Sequence, residues 1–520
     1  MKLNKLKRYC AIAIATIIAV LSLQLPTHPA ERIKFNYSLL GFNLKVEDLA
    51  LYATEGKVTR QLDFYLKRFS DEQQQQLKEF LQLKYEIDPV LVYRFSRTSV
   101  GKRMLYRVGE ILQTPPNLNG FYGLRAAVVQ TAGSHQGVNF VNFLKHFPTD
   151  LQLNLAEVLK LLKEISTNDQ ETTQFITNLK QQEPKDSSKL NIAKIPNLSA
   201  SGQFPVVKQA LKLHDAKRDR NLNVDLYLPQ ARNAPKSIPV IVISNGLGAR
   251  RNNFQELAEH LTSYGFAVAT LDHPGSNRDR QKAFIRGLYK ENFDAADFID
   301  RPLDISYILD ELTKLNQNQF QNRLNLQQVG VFGYSFGGAT ALSLTGAQLN
   351  FDKLKHDCSQ PLDLINISIL YQCRALELPR QPRPLEDQRI KATYLFVPFG
   401  SSLFGAEQLG QVSTPTMWQT VDRDFLTSLL KEQLPAFKAV GSQDKYLVVS
   451  EKLPHTTATL DQKRSQTQNK QSKISKTYQK ALALAFFQTY IAQNSEYRPY
   501  LTSDYLQVLS QEPYNLHLLK

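Results

Sequence analysis

The segment Gly333-Tyr334-Ser335-Phe336-Gly337 has the spacing of a nucleophilic serine held in a sharp turn. An apolar, β-branched run at 329–332 precedes it and a helix-forming run at 339–342 follows it, so the pattern predicts a strand, a tight turn and a helix. Glycines two residues on either side of Ser335 let the strand and the helix pass closely, because they carry no Cβ. Ser335 is therefore a candidate nucleophile at the N-terminus of a helix, where developing negative charge is stabilised.

A serine hydroxyl attacks carbonyl carbon efficiently only when a base lies beside it and an acid holds that base. Where this turn is found in a parallel sheet, the order along the chain is Ser, then Asp or Glu, then His. Three histidines follow Ser335. His356 precedes the next core strand and His517 lies near the C-terminus, whereas His455 follows a predicted strand at 446–449. We therefore predict His455 as the general base.

Two carboxylates are candidates for the acid. Asp422 and Asp424 both follow the predicted strand that begins at Pro415, with Arg423 between them. Distance beyond the strand end favours Asp424, and Asp422 stays open as the alternative.

The loop after the predicted strand 239–243 reads Ser244-Asn245-Gly246-Leu247-Gly248-Ala249-Arg250. Glycines on both sides of Leu247 allow the backbone to present its N–H group, and the residue after the nucleophile, Phe336, offers a second one. Two such groups form an oxyanion hole. The same G-x-G resembles the start of a dinucleotide-binding loop, but the third glycine is absent and a dinucleotide site would leave the serine turn unexplained, so no dinucleotide site is predicted. Chemistry at an activated serine needs no organic cofactor and no metal, and none is predicted. His273, after the next strand, comes too early to be the base, and we expect a structural role for it, with contact to substrate as the alternative.

The elements that must position these residues alternate between strand and helix. Residues 206–213 and 222–228 resemble an antiparallel pair, and apolar strands are predicted at 239–243, 267–271, 329–332, 392–397, 415–420 and 446–449. Helices predicted between them give a mostly parallel sheet covered on both faces, within 203–520. This order is that of the α/β-hydrolase fold. An insertion at about 346–384 is predicted to cap the pocket, and its apolar pattern favours an apolar acyl group. The alternative is a simple surface excursion.

The chain ahead of this domain is predicted to hold a small all-α domain at 31–165, because apolar residues recur there at helical spacing, as in Val58, Leu62, Leu66 and Phe69. Ser70 and Gln73 have the spacing of a capping box. Residues 166–202 are rich in Asn, Gln, Thr, Ser and Lys, and this composition predicts a linker.

Residues 1–30 have the pattern of a secretory signal: a basic start, an apolar run from Tyr9 to Leu25, and a break before Ala30. We expect cleavage after Ala30 and export to the periplasm or the medium, with an uncleaved membrane anchor as the alternative. Export leaves Cys358 and Cys373 as an even pair in an oxidising compartment. The pair is predicted to form a disulfide, and two unpaired buried thiols are the alternative.

The net charge of the chain is +15, and removal of four basic residues with the signal leaves about +11. The charge of a basic exported protein favours attraction to anionic lipid or polysaccharide surfaces, and hence peripheral membrane association; solubility alone is the alternative explanation of the charge. No basic run interleaved with aromatic residues is present, which argues against a nucleic-acid partner.

The segments Gly246–Ala249 and Ser335–Thr340, with Arg301–Ile305 and Gly400–Gly405, resemble the platelet-activating-factor acetylhydrolase and dienelactone-hydrolase-like branch of the α/β-hydrolases. The N-terminal block resembles the uncharacterised helical domain fused ahead of such hydrolases in exported cyanobacterial proteins. The resemblance implies that Ser335, Asp424 and His455 are a catalytic triad and that Leu247 and Phe336 are the oxyanion donors.

The expected activity is therefore hydrolysis of a small-molecule or lipid ester through an acyl-enzyme, without a cofactor. Two departures from the family pattern motivate an alternative: the acid loop lacks the usual glycine, and Pro454 rather than glycine precedes His455. In that alternative the domain is a non-catalytic binding scaffold. Acyl transfer to an acceptor other than water is a third hypothesis, which uses the same residues.

Overall fold

The structure, a computed structural model, describes residues 29–37, 40–182, 195–230, 237–381, 383–455 and 466–520. These residues form two compact units, divided between Leu162 and Lys163. The predicted signal peptide lies outside the described residues except for its last two positions. Within the described ranges, no helix combines the length and the apolar character that crossing a bilayer requires.

The first unit contains a four-stranded sheet, so the prediction of an all-α domain is wrong. Its strands are β1 Arg32–Tyr37, β2 Leu40–Lys45, β3 Leu112–Gln113 and β4 Leu151–Leu153. They are ordered β2-β1-β4-β3, with β1 and β4 parallel and the other two pairs antiparallel. Strands of two and three residues are too short to show a two-residue periodicity, and β1 pairs with β4 more than a hundred residues away, which no local pattern reveals.

The first unit also contains seven helices within its described residues. They are α1 Val46–Glu55, α2 Arg60–Leu66, α3 Asp71–Gln82, α4 Pro89–Phe95, α5 Ser99–Ile111, α6 Phe121–Gly133 and α7 Phe140–His146. The predicted capping box is present at the start of α3: Gln73 N–H donates to Ser70 Oγ, and Ser70 N–H donates to Gln73 Oε1. Both bonds satisfy N–H groups that a helix start leaves without partners.

Helix α8, Leu155–Gln182, covers nearly half of the segment 166–202, for which a linker is predicted. The composition of 166–182 is polar, but Ile176 and Leu179 lie on one side of the helix and are buried in the hydrophobic core of the second unit. Tertiary packing of a narrow apolar stripe therefore stabilises a helix that composition alone did not indicate. Of the remaining linker residues, 183–194 lie outside the described part of the chain.

The second unit is built on a nine-stranded sheet ordered β13-β12-β11-β10-β9-β7-β8-β6-β5. The strands are β5 Val206–Asp215, β6 Arg220–Pro229, β7 Ile238–Ser244, β8 Ala267–Leu271, β9 Leu324–Tyr334, β10 Ile390–Phe396, β11 Thr416–Val421, β12 Lys445–Ser450 and β13 Leu516–Leu519. The six strands from β12 to β8 in the sheet are parallel, as predicted. The antiparallel pair β5–β6 is also present, whereas the antiparallel edge strand β13 was not predicted.

Helices cover both faces of this sheet, so alternate residues of each parallel strand are buried on opposite sides. Val240 and Val242 of β7 belong to one core, and Ile241 and Ile243 belong to the other. The main helices of the unit are α9 Gln255–Ser263, α10 Arg278–Ile285, α11 Asp297–Asn318, α12 Phe336–Leu344, α13 Phe351–Ser359, α14 Ser368–Gln372, α15 Ser401–Leu409, α16 Leu434–Ala439, α17 Gln466–Tyr490 and α18 Ser503–Leu509. A π-helical turn, Leu429–Gln433, precedes α16.

Candidate active site

The turn between β9 and α12 places Ser335 in a strained backbone conformation. Its φ is 51° and its ψ is −113°, in a region that costs roughly 1–3 kcal/mol for a residue with a Cβ. A Cβ at Gly337 would overlap the carbonyl oxygen of Ser244, and one at Gly333 would overlap the carbonyl oxygen of Gly337. The two glycines are therefore required by close backbone approach, as the sequence predicted, and the strain is held by strand and helix on either side.

The structure brings Ser335, His455 and one aspartate together. His455 Nε2 lies 3.2 Å from Ser335 Oγ, and His455 Nδ1 lies 2.7 Å from Asp424 Oδ2. Both His455 and Asp424 are buried, whereas Ser335 is partly exposed. The hydroxyl of Tyr334 donates to the backbone carbonyl of His455 at 3.2 Å, which anchors the histidine loop to the strand that carries the serine.

The two candidate acids occupy different environments. Asp424 Oδ1 accepts the backbone N–H groups of Leu426 (2.9 Å) and Thr427 (2.8 Å), and Oδ2 accepts the Thr427 hydroxyl at 2.6 Å as well as facing His455. Asp422 accepts the backbone N–H of Lys452 at 2.6 Å. Burial raises the pKa of Asp422 to about 6. Of the two carboxylates, Asp424 is the one that contacts the imidazole.

The two predicted oxyanion donors lie at the same cavity as Ser335 and His455. Phe336 opens helix α12, and Leu247 lies on the loop after β7. Arg301 holds both regions: its guanidinium donates to the Asn245 carbonyl and stacks 4.3 Å from the centre of the Phe336 ring. Burial lowers the pKa of Arg301 to about 10, which leaves it charged at neutral pH.

His273 belongs to a second Ser–His–Asp array that has no access to substrate. Its Nε2 lies 3.0 Å from Ser244 Oγ, its Nδ1 lies 3.0 Å from Asp304 Oδ2, and all three residues are buried. Burial and the nearby charge of Arg301 lower the pKa of His273 to about 3, so the ring is neutral. The array stabilises the base of the loop that carries Leu247, in keeping with the structural role expected for His273.

A cavity of about 270 Å³ opens at Ser335. Most of its lining is aromatic or aliphatic, and the members beyond the predicted site residues are Phe293, Tyr334, Ser368, Tyr371, Phe399, Leu426 and Thr427. The rings pack in series, with Phe336 5.7 Å from Phe293 and 5.5 Å from Phe399, centre to centre. Such a lining suits an apolar group next to Ser335.

The insertion after α12 contributes directly to this cavity. Helix α14 carries both Ser368 and Tyr371, and Tyr371 stacks on Phe293 at 6.2 Å. Cys373, just after α14, forms a disulfide with Cys358 at the end of α13. The predicted disulfide is confirmed, and it joins the helix that lines the cavity to its neighbour.

Several residues of the site were not found by sequence reasoning. Thr427, Gln433 and Trp418 lie behind Asp424, and Arg301 with Asp304 lies behind the oxyanion loop. Arg301 and Asp304 were visible only as part of a family-like motif. The other three had no signal in the sequence, because their roles depend on contacts between separate elements.

Comparison with protein families gives two matches. Residues 29–154 match a family model described as "alpha/beta hydrolase of unknown function (DUF1400)", and residues 239–361 match one described as "alpha/beta hydrolase fold". A comparison with curated proteins finds no match. With the mixed nine-stranded sheet, the second match supports the predicted α/β-hydrolase fold and indicates a hydrolase. Neither match identifies the platelet-activating-factor acetylhydrolase branch, which stays a prediction.

Proposed function

We propose that this protein is a serine hydrolase that cleaves carboxylic esters, of lipid or short-acyl type, through an acyl-enzyme. The observation that carries the proposal is the pair of contacts made by His455, 3.2 Å to Ser335 Oγ and 2.7 Å to Asp424 Oδ2. A base between a serine and a carboxylate is the arrangement that activates a hydroxyl for acyl transfer.

In the first half of the proposed reaction, Ser335 Oγ attacks the ester carbonyl carbon while its proton passes to His455 Nε2. The carbonyl electron pair moves onto oxygen, and the N–H groups of Leu247 and Phe336 stabilise the resulting charge. When the tetrahedral intermediate collapses, the C–O bond to the alcohol breaks and the alcohol takes the proton from His455. In the second half, water gives a proton to His455 and its oxygen attacks the acyl carbon. When this second intermediate collapses, the bond from the acyl carbon to Ser335 Oγ breaks, His455 returns the proton to Oγ, and the acid leaves.

The cavity supports the choice of substrate class. Its aromatic lining favours an apolar acyl chain, and Leu247 and Phe336, the proposed oxyanion donors, line the same cavity as Ser335. The Cys358–Cys373 disulfide is compatible with export.

The first test is Ser335→Ala, assayed with p-nitrophenyl esters of increasing chain length. The substitution removes the nucleophilic hydroxyl and leaves a small side chain that fits the same turn, so we expect kcat to fall by more than about 10⁴-fold without loss of the fold. A fluorophosphonate should label the wild type and not the variant. Ser343→Ala is the matched control, since Ser343 is a buried serine about two turns further along α12.

Three outcomes distinguish the alternatives. Equal turnover by wild type and Ser335→Ala contradicts the proposal. A wild-type protein that neither turns over esters nor reacts with the fluorophosphonate supports the binding-scaffold alternative. Transfer of the acyl group mainly to an added alcohol, measured by product analysis, identifies an acyltransferase instead of a hydrolase.

A further inference from the structure

A chain of buried hydrogen bonds runs behind Asp424. The indole Nε1–H of Trp418, on β11, donates to Gln433 Oε1 at 2.8 Å. Gln433, the last residue of the π-helical turn Leu429–Gln433, donates through Nε2 to the Thr427 hydroxyl (2.8 Å) and to the Thr427 carbonyl (3.0 Å). Trp418 and Gln433 are fully buried, and Thr427 is nearly so.

Thr427 connects this chain to the proposed triad. Its Oγ1 lies 2.6 Å from Asp424 Oδ2 and 3.3 Å from His455 Nδ1, so the hydroxyl has two groups that compete for it. A hydroxyl can donate one proton and can also accept. What Thr427 does therefore depends on what its other neighbour, Gln433, offers.

The chemistry of Trp418 removes the ambiguity. An indole N–H is a donor only, so the Gln433 side chain must turn its oxygen towards Trp418 and its NH₂ towards Thr427. Thr427 Oγ1 then accepts from Gln433 and gives its own proton to Asp424 Oδ2, which as a carboxylate can only accept. His455 Nδ1, facing the same oxygen at 2.7 Å, must carry the proton of that contact. His455 Nε2 is left with a free lone pair 3.2 Å from Ser335 Oγ.

We propose that Gln433, oriented by Trp418, is a positioning residue: by donating to the Thr427 hydroxyl it leaves that proton for Asp424 Oδ2, and so supports the carboxylate in holding the His455 tautomer that accepts the serine proton. The inference rests on the proposed function, because it concerns how the base of that reaction is prepared. Gln433 acts through Thr427 and touches no substrate. A purely structural role, in which Gln433 only fills a buried polar space, is the competing explanation.

The experiment compares three variants that are expected to be impaired with one conservative rescue variant. Gln433→Leu removes both donors to Thr427 but leaves the Trp418 N–H without an acceptor. Trp418→Phe combined with Gln433→Leu removes both polar partners, which restores much of the stability lost with one partner but not the donor to Thr427. Thr427→Val removes the hydroxyl itself, and Thr427→Ser, which keeps it, is the conservative rescue.

Gln419→Leu is the matched control. Gln419 is the residue after Trp418 on β11, is equally buried and is hydrogen-bonded, to Tyr394 (2.6 Å) and Ser450 (3.2 Å). Its side chain makes none of its hydrogen bonds with Thr427 or Asp424 within the described residues. Gln419→Leu therefore removes a buried, hydrogen-bonded glutamine, as Gln433→Leu does, but it removes no hydrogen bond to Thr427.

If the inference holds, Gln433→Leu, the double variant and Thr427→Val each lower kcat by about tenfold, with KM changed by less than about twofold. Thr427→Ser and Gln419→Leu keep kcat close to that of the wild type. The low-field proton resonance of His455 Nδ1–H, observed by NMR, broadens or shifts in the three impaired variants and is unchanged in the control. A structural role alone would not move that resonance in a variant that remains folded.

Opposite results overturn the inference. They are wild-type kcat in folded Gln433→Leu, recovery of kcat together with stability in the double variant, or an equal loss in Gln419→Leu. If Gln433→Leu does not fold, the double variant and Thr427→Val decide. Ser335→Ala separates failure of the proposed function from failure of this inference. Activity retained in Ser335→Ala contradicts the proposed function. An inactive Ser335→Ala together with a fully active Gln433→Leu contradicts only the inference about Gln433.

Discussion

Asp422 and Asp424 are two residues apart, yet their side chains face different surroundings. Asp424 accepts four hydrogen bonds or close polar contacts, from Leu426 N–H, Thr427 N–H, the Thr427 hydroxyl and His455. Asp422 accepts the backbone N–H of Lys452 and does not contact the His455 ring in the described part of the chain, and burial raises its pKa to about 6. The two neighbouring carboxylates therefore differ in environment although they are the same residue type, and environment is what assigns carboxylates to different roles.

Exchange of each carboxylate for an amide tests this difference. In Asp424→Asn, the amide no longer favours the tautomer with a proton on His455 Nδ1, so we expect kcat for ester hydrolysis to fall by about 10³- to 10⁴-fold. Asp422→Asn removes a carboxylate that does not contact His455 and should leave kcat within about threefold of the wild type. Steady-state kinetics with one short ester measures both, and the reverse pattern would assign the acid to Asp422.

At the scale of single elements, the π-helical turn Leu429–Gln433 links the loop that carries Asp424 to the insertion that follows α12. Gln433 supports Thr427, and its neighbour Glu432 is a fully buried carboxylate. Glu432 Oε1 accepts the backbone N–H groups of Gly400 (2.7 Å) and Ser401 (2.8 Å). Glu432 Oε2 accepts from four side chains, those of Asn366, Ser368, Gln372 and Ser401. A π-helical turn at a functional site is common, because the extra residue redirects side chains.

Glu432→Gln should therefore weaken the attachment of this insertion to the π-helical turn. The new NH₂ group cannot accept, so at least two buried donors lose their partner, and we expect the free energy of unfolding to fall by about 3 kcal/mol. Because Asn366, Ser368 and Gln372 hold α14, which carries Tyr371, KM should rise more for a hexanoyl ester than for an acetyl ester. Denaturant titration and KM measurements check this, with the exposed Glu407→Gln as control. An unchanged midpoint would show that the six contacts contribute little.

At the scale of the whole molecule, the nine-stranded sheet separates two hydrophobic cores, and buried ionisable groups lie around each of them. On one side, Arg220 bridges Asp297, Asp300 and Asp304 of helix α11, which fastens the β5–β6 hairpin to that helix. On the other side, α9 carries His260, a buried histidine whose ring centre lies 5.2 Å from that of Tyr264. Burial, with a smaller contribution from Lys480, lowers the pKa of His260 to about 4.

The lowered pKa of His260 predicts how stability depends on pH. Between the ordinary value of 6.5 and about 4, the unfolded chain binds a proton that the folded protein does not, so the stability present above 6.5 is lost as the pH falls through this range. By pH 4, the free energy of unfolding has fallen by about 3 kcal/mol through this histidine. We expect His260→Phe, which keeps a ring against Tyr264, to reduce this pH dependence.

Denaturant midpoints of the wild type and His260→Phe at pH 7 and pH 4.5 test the expectation. His356→Gln is the control, because His356 is exposed and its solvation changes little on unfolding. An equal loss of stability on acidification in the wild type and His260→Phe would rule out His260 as the cause.

Much of this protein was determined by local patterns in its sequence. The strand, turn and helix around Ser335, the parallel strands at 238–244 and 267–271, and the Ser70 capping box all follow from interactions between residues close along the chain. The order of Ser335, the two aspartates and His455 was likewise readable, because chain order in this fold restricts where each group can lie.

The tertiary structure decided what depends on distant contacts. The short strands β3 and β4 and the helical residues 166–182 are stabilised by partners far along the chain, and their own composition did not indicate them. Side-chain positions must be right to within about an ångström for two further features. These are the contact of His455 with Asp424 rather than Asp422, and the hydrogen bonds from Trp418 through Gln433 to Thr427. Hydrogen bonds are that directional and short-ranged, whereas periodicity and composition record only which residues are buried.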